Sequence, residues 1–277
     1  MIVNLFIYPA ILTPPAALIK DQYAFRPTGS PTSAIISLLH TVTNMLITNP
    51  YVIVLSLDYS KAFDTVRHAT LMEKLAQLDL PDSVYNWLTH FFGGHTHCTM
   101  YQGHTSSFES ISATIIQGSG IGPATYIVNA ADFHPVTPGN QLVKLADDTY
   151  IIIPAENASS RQRESCPTAR CAWARANNLK LNPAKYSEVV FFDKRLKVRA
   201  QPPPPIPGIH WSTTIKILGV MHHHQWPECV RTCENRYRLV RADNVCLESH
   251  ACPRTAWTTR TTSCVQIGRR RQAAVRI

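Results

Sequence analysis

Charged side chains are missing from the first nineteen residues, where nothing in MIVNLFIYPAILTPPAALI carries one before Lys20. A secretory leader opens on a basic stretch, and this segment has none. A membrane span needs about 20 uninterrupted apolar residues, and Pro9, Pro14 and Pro15 break this run. Neither secretion nor membrane insertion is expected, and the segment reads as a buried helix. Cysteine is scarce over most of the chain: five of the 8 lie beyond Glu228, and no CxxC pair occurs. That excludes a secreted disulfide framework and points to a reducing, intracellular setting, cytoplasm or nucleus. Acidic residues are also short, 18 against 27 lysines and arginines, so the net charge is +9. A surplus of that size favours a polyanionic partner such as nucleic acid. No internal repeat is present. The hydrophobic content, 45% of 277 residues, is enough for a sizeable core in one large domain or two small ones.

The patterning alternates helices and strands. Ile35, Leu38, Leu39, Val42 and Leu46 recur at helical spacing and predict a helix over Thr32–Leu46, stopped by Pro50. YVIVLSLD is a continuous apolar run, the mark of a central strand covered on both faces, and it ends in Asp58. A helix is predicted from His68 to Leu78, and Pro81 opens another that Gly93-Gly94 ends. Cys98–Tyr101 and Phe108–Ile116 read as strands. The glycine-rich loop Gln117–Gly122 precedes a helix through Ala131. A helix over Cys166–Asn177, a strand at Glu188–Phe192, the polyproline spacer QPPPPIPG and a last strand in IKILGV follow. Beyond Val220 lysine is absent and no periodicity holds, so this basic tail is expected to be disordered. Its Cys229, Cys233, Cys246, Cys252 and His222–His224 are zinc-binding residue types, but their spacing matches no tight zinc pattern.

The segment LVKLADDTYIII sets Asp147 and Asp148 side by side between two strands, Leu142–Ala146 and Thr149–Ile153. The plain reading is a two-residue turn, since aspartate tolerates the backbone that turns require. Gly or Asn would serve such a turn better, and adjacent carboxylates repel unless a cation neutralises them. Asp58, at the end of the central strand, is a third carboxylate that pairing of strands about 4.8 Å apart would bring beside them. Three carboxylates at one sheet edge suit a pair of divalent cations, the arrangement used for in-line phosphoryl displacement.

The stretches LDYSKAFDTVRHATLMEKL, IIQGSGIGP, LADD, NNLKLNPAKYSEVVFF and IKILGV occur in that order, preceded by DQYAFRPTGSPTSAI. Together they resemble the reverse transcriptase domain of non-LTR (LINE-type) retrotransposons, over about Asp21 to Val220. The resemblance implies an α+β polymerase palm, an antiparallel sheet with helices on one face, with partial fingers and no clear thumb. Residues 1–50 would hold the fingers remnant and the AFRP segment, and 51–200 the palm. Residues 201–220 would hold the spacer and last palm strand, and 221–277 the tail. It implies an RNA-directed DNA polymerase core extending a DNA primer on an RNA template with deoxynucleoside triphosphates and two Mg²⁺ or Mn²⁺ ions. The alternative is an inactive remnant, because most of the fingers, a thumb and an endonuclease domain are not recognised in the chain.

The resemblance also implies roles. Asp58, the backbone carbonyl of Tyr59, Asp147 and Asp148 would hold the metals. Lys185 would stand near the departing pyrophosphate as a proton donor. Phe63 would crowd a 2′-hydroxyl and, with Gln117, Gly118 and Arg26, line the nucleotide site. Lys61 and the basic run Lys194, Arg195, Lys197 and Arg199 would track the nucleic-acid backbone. Leu145 departs from the family's usual aromatic, Ile116 from its proline, and Tyr186 from its threonine or serine.

Overall fold

A computed structural model of the chain describes residues 1–12, 19–116, 118–165, 167–193, 201–218 and 220–223. A π-helical turn, Val3–Ile7, runs into α1 (Tyr8–Leu12); Ile7 and Ile11 are fully buried while Leu5 and Leu12 are exposed, so the segment buries one face rather than its whole surface. No described helix is long and apolar enough to cross a membrane. α2 (Pro31–Thr48) starts where Ser30 caps it: the Ser30 hydroxyl accepts from the Ser33 N–H at 3.0 Å, and Pro31 takes the first helical position. Its buried residues Ala34, Leu38, Val42 and Leu46 form one stripe.

β1 (Tyr51–Leu57) and the short β2 (Tyr59–Ser60) flank Asp58. α3 (His68–Leu75) ends earlier than its apolar pattern predicts. Gln77 and Leu78 donate to residues three back, Lys74 and Leu75, so the last turn tightens ahead of Pro81, which restricts Leu80. Leu78 still packs on the core from that turn. α4 (Asp82–Phe92) follows and buries Val84, Leu88 and Phe92.

The next segment corrects the sequence expectation. Instead of two long strands there are four two-residue rungs, β3 (Thr96–His97), β4 (Met100–Tyr101), β5 (His104–Thr105) and β6 (Glu109–Ser110). They form an exposed ribbon closed by Gln102-Gly103, both at positive φ, the signature of a type I′ turn. The stretch after Ser110 leaves the ribbon and bonds to residues 63–68: Ile115 donates to Phe63 and Thr114 to Val66, each at 2.9 Å.

α5 (Gly122–Asn129) is buried at every residue but Pro123, which is partly exposed. β7 (Gln141–Leu145) and β8 (Asp148–Pro154) form a hairpin, followed by a 3₁₀ turn, α6 (Arg161–Ser165) and α7 (Pro167–Ala176). β9 (Lys180–Leu181) pairs with β2, and β10 (Ser187–Phe192) with β1. β11 (His210–Trp211) lies parallel to β10. IKILGV does not extend this sheet: β12 (Thr214–Ile217) and β13 (Val220–His223) make a hairpin of their own.

The five-stranded mixed sheet therefore runs β11-β10-β1-β8-β7, with β1 antiparallel to both neighbours. Ile53 stands opposite Val190 on one side and Ile153 on the other. Tyr51, Ile53, Leu55 and Leu57 gather with Phe133, Ile151, Ile153 and Tyr186. Val52, Val54 and Ile152 alternate with them and are equally buried, while α2 packs against β1, β7 and β8. A second cluster joins α1, α3, α4 and α5 through Ile11, Leu71, Leu88 and Ile127, and Trp173 touches both clusters. The described residues belong to one compact unit, Met1–Pro227.

Candidate active site

The carboxylates lie at one end of the sheet. The hairpin turn consists of Ala146 and Asp147, because Leu145 pairs with Asp148. This corrects the expectation of an Asp147-Asp148 turn: Asp148 opens β8. Of the two turn residues only Ala146 takes positive φ, +57°, the sign pattern of a type II′ turn, where glycine is usual. A left-handed backbone costs an L-residue about 1–2 kcal/mol, so something beyond the turn must hold Ala146. β1 meets β8 with Leu57 opposite Thr149, and continuing that register by one residue sets Asp58 across from Asp148.

Asp58 is fixed by the segment that returns from α7. That helix ends in a Schellman turn: Asn178, at φ +56°, donates to Arg175 at 3.1 Å and Leu179 to Ala174 at 2.7 Å. The turn leads into β9, which pairs Leu181 with the buried Tyr59. Asn182 then grips Asp58 twice. Its backbone N–H donates to the Asp58 carbonyl at 3.0 Å, and its side-chain Nδ2 to Asp58 Oδ2 at 3.1 Å. A 3₁₀ turn, Pro183–Lys185, brings the Lys185 ammonium to 3.5 Å from the same oxygen. Asn182 had no assigned role in the sequence reading.

Burial pushes the Asp147 carboxyl above its ordinary pKa. A bond to backbone opposes this, Asp58 adds to it, and the Lys185 charge offsets part. Asp148 is raised by burial, then by Asp147 and Asp58. Asp58 thus adds to the rise of both hairpin carboxyls, as a neighbouring carboxylate does. The donor set is all hard oxygen, which suits Mg²⁺ or Mn²⁺. Among the described residues no three His, Cys, Asp or Glu side chains are drawn together at metal-holding spacing, and Lys185 supplies the near countercharge to Asp58.

Phe63, half-buried, stacks on Tyr126 with ring centroids 4.1 Å apart and meets Phe25 edge-on at 6.2 Å. Tyr126 is raised well above its ordinary pKa, first by burial and then by Asp147, Tyr59 and Asp148, which places its ring beside the hairpin. It was not singled out from the sequence. Gly118, at φ +79°, lies on the exposed side of the glycine loop. Gly122 starts α5 so tightly that a Cβ would stand 2.9 Å from both Ile115 Cγ2 and Ser119 Oγ. Lys61 is exposed at φ +52° in the turn after β2. Arg26 turns back on its own segment: Nη1 donates to the Ile19 carbonyl at 3.0 Å, and the guanidinium sits over the Tyr23 ring. Gln117, the run Lys194, Arg195, Lys197 and Arg199, and the tail cysteines lie outside the described residues.

A family model described as reverse transcriptase (RNA-dependent DNA polymerase) matches residues 3–222. The chain is 29% identical over 192 residues to the RNA-directed DNA polymerase from mobile element jockey of Drosophila melanogaster, covering 64% of this chain and 20% of that protein. It is 26% identical over 197 residues to the probable RNA-directed DNA polymerase from transposon X-element of the same organism, covering 68% and 21%. The chain thus spans about a fifth of these relatives. Among solved structures, apo telomerase from Candida tropicalis superposes with a TM-score of 0.54 at 10% identity, over 75% of this chain and 36% of that one. Candida albicans telomerase in complex with a TWJ fragment of telomeric RNA gives 0.54 at 9% identity, over 80% and 38%. At such identities the likeness shows the fold, an α+β polymerase palm.

Proposed function

Because this chain belongs to the reverse transcriptase (RNA-dependent DNA polymerase) family, in the form found in non-LTR (LINE-type) retrotransposons, we propose that it is the catalytic core of an RNA-directed DNA polymerase. The family generally uses divalent metal ions. The observation that carries the reading is the register of β1, β8 and β7, which sets Asp147 and Asp148 at the hairpin beside Asp58 at one end of the sheet. On this reading residues 51–200 are the palm and residues 1–50 its fingers side, acting on an RNA template, a DNA primer and deoxynucleoside triphosphates inside the cell.

Asp58, Asp147 and Asp148, with the Tyr59 carbonyl, would hold two Mg²⁺ or Mn²⁺ ions. Such ions, when bound, lower the pKa of an attacking hydroxyl and stabilise the leaving oxygen. The primer 3′-oxygen bonds to the α-phosphorus, the α–β phosphoanhydride bond breaks, and pyrophosphate leaves. Asn182 keeps Asp58 oriented by its two bonds. Lys185, exposed and 3.5 Å from Asp58 Oδ2, would give a proton to the departing pyrophosphate. Phe63, braced on Tyr126, would crowd a ribose 2′-hydroxyl.

Primer extension on an RNA template with Mg²⁺ tests this. Asp58→Asn and Asp147→Asn should each lose more than the roughly 10–100-fold that an outer-shell partner is worth. Extension unchanged in both variants would overturn the assignment. A second reading, an inactive remnant that keeps the scaffold, draws on the lack of a close three-ligand group among the described residues. Folded protein that binds primer–template yet never extends it would favour that reading.

A further inference from the structure

The motif DQYAFRP supplies more than an edge to the palm. Asp21–Tyr23 lies along the outer side of β7, with Gln22 bridging Lys144 in parallel. The Lys144 N–H donates to the Asp21 carbonyl at 2.7 Å, and the Tyr23 N–H donates to the Lys144 carbonyl at 2.8 Å. Lys144 is itself buried. Its ammonium pairs with Asp21 at 3.1 Å and donates to the Ala130 and Phe133 carbonyls at 3.0 and 3.2 Å. This fixes the backbone of Gln22 and delivers its side chain, 1% exposed, to the hairpin turn.

There one amide serves both backbone groups of a single residue. Gln22 Oε1 accepts from the Ala146 N–H at 3.0 Å, and Nε2 donates to the Ala146 carbonyl at 3.3 Å. Oε1 also accepts from the Ala24 N–H at 3.0 Å, which sets the amide's orientation. Ala146 is the turn residue held at φ +57°, a conformation an alanine does not keep unaided. Asp147 and Asp148 follow it directly. We infer that Gln22 is a positioning residue for the catalytic hairpin: it clamps Ala146 in the left-handed conformation and thereby fixes where Asp147 and Asp148, the residues that would hold the cation with Asp58, stand at the end of the sheet. Gln22 is buried, spends its amide on Ala146 and Ala24 and is not among the proposed metal ligands, and the inference rests on the metal reading proposed above.

Mn²⁺ binding to the full chain, followed by electron paramagnetic resonance, is the test. Asp147→Asn is the control for the metal reading. If it leaves Mn²⁺ binding unchanged, that reading fails and the inference with it. If it weakens binding, Gln22→Met, which keeps the side chain's bulk without its amide, should weaken Mn²⁺ affinity by about tenfold, as lost outer-shell partners do. Unaltered affinity in Gln22→Met would then overturn the clamp alone. Glycine enters the left-handed region freely. In an Ala146→Gly background Gln22→Met should therefore cost less than half of its original factor, and an undiminished loss there would also overturn the clamp. Should Gln22→Met not melt cooperatively, Gln22→Asn, whose amide falls one carbon short of Ala146, takes its place in the same comparison.

Discussion

Asp147 is held at a cost to its charged form, and the sign of that cost is testable. Burial and Asp58 raise its pKa, so the folded chain disfavours its charged form. In metal-free protein at neutral pH, Asp147→Asn removes that charge and should raise the melting temperature. The residue is partly exposed, so solvent screening keeps the gain small, about 1–3 °C. Between the ordinary carboxylate pKa and the raised one, the folded state binds more protons than the unfolded state. Wild-type stability therefore rises as pH falls through that window, and the advantage of Asp147→Asn should shrink. Calorimetry at a series of pH values in chelator checks this, and a pH-independent gap would contradict it. The residues were unequally legible in the sequence. Asp58, Asp147 and Asp148 stand out because carboxylates interrupt apolar strands. Gln22 and Asn182 look like ordinary polar residues, since each acts on a partner 124 residues away. No local pattern encodes a bond over that distance.

Elements were readable where one face is buried by regular spacing. α2 and β1 match their predicted spans closely, because the helical stripe of α2 and the two-sided burial of β1 leave little choice of register. The ribbon β3–β6 was misjudged for the opposite reason. Met100, Tyr101 and Phe108 face solvent, so their apolar character carries no information about pairing. Local turn chemistry favours Asp over Ala and so predicts the hairpin turn one residue late, whereas the Gln22 amide holds Ala146. The glycine loop before α5 offers a test on this scale. Gly122→Ala would force a Cβ against Ile115 and Ser119. Overpacking of that kind costs about 1–3 kcal/mol, a fall of roughly 2–10 °C in melting temperature. Because Ile115 is tied to Phe63 by a 2.9 Å backbone bond, the same change should loosen the Phe63–Tyr126 stack. On the proposed function, discrimination between deoxynucleotides and ribonucleotides should then decline along with stability. A stable variant with unaltered discrimination would show that the loop and Phe63 are uncoupled.

Across the whole molecule the positive charge is unevenly placed. Ten arginines and four acidic residues lie beyond Val220, so most of the +9 surplus belongs to the tail rather than to the palm. On the proposed function the chain needs cations along a nucleic-acid path, and two sources compete for that role: the tail, and the basic residues nearer the aspartates. They differ in what salt does. Each phosphate contact on a single strand contributes about 0.7 to the slope of log affinity against log salt. Replacing Arg269, Arg270 and Arg271 together by Gln in the full chain leaves the palm's composition untouched. If the tail grips the template, binding to single-stranded RNA should weaken and the slope should fall by up to about 2. If slope and affinity both stay as in wild type, the phosphate contacts come from the palm itself. Lys61 would then be the first cation to replace, because it is exposed and directly follows β2, three residues after Asp58.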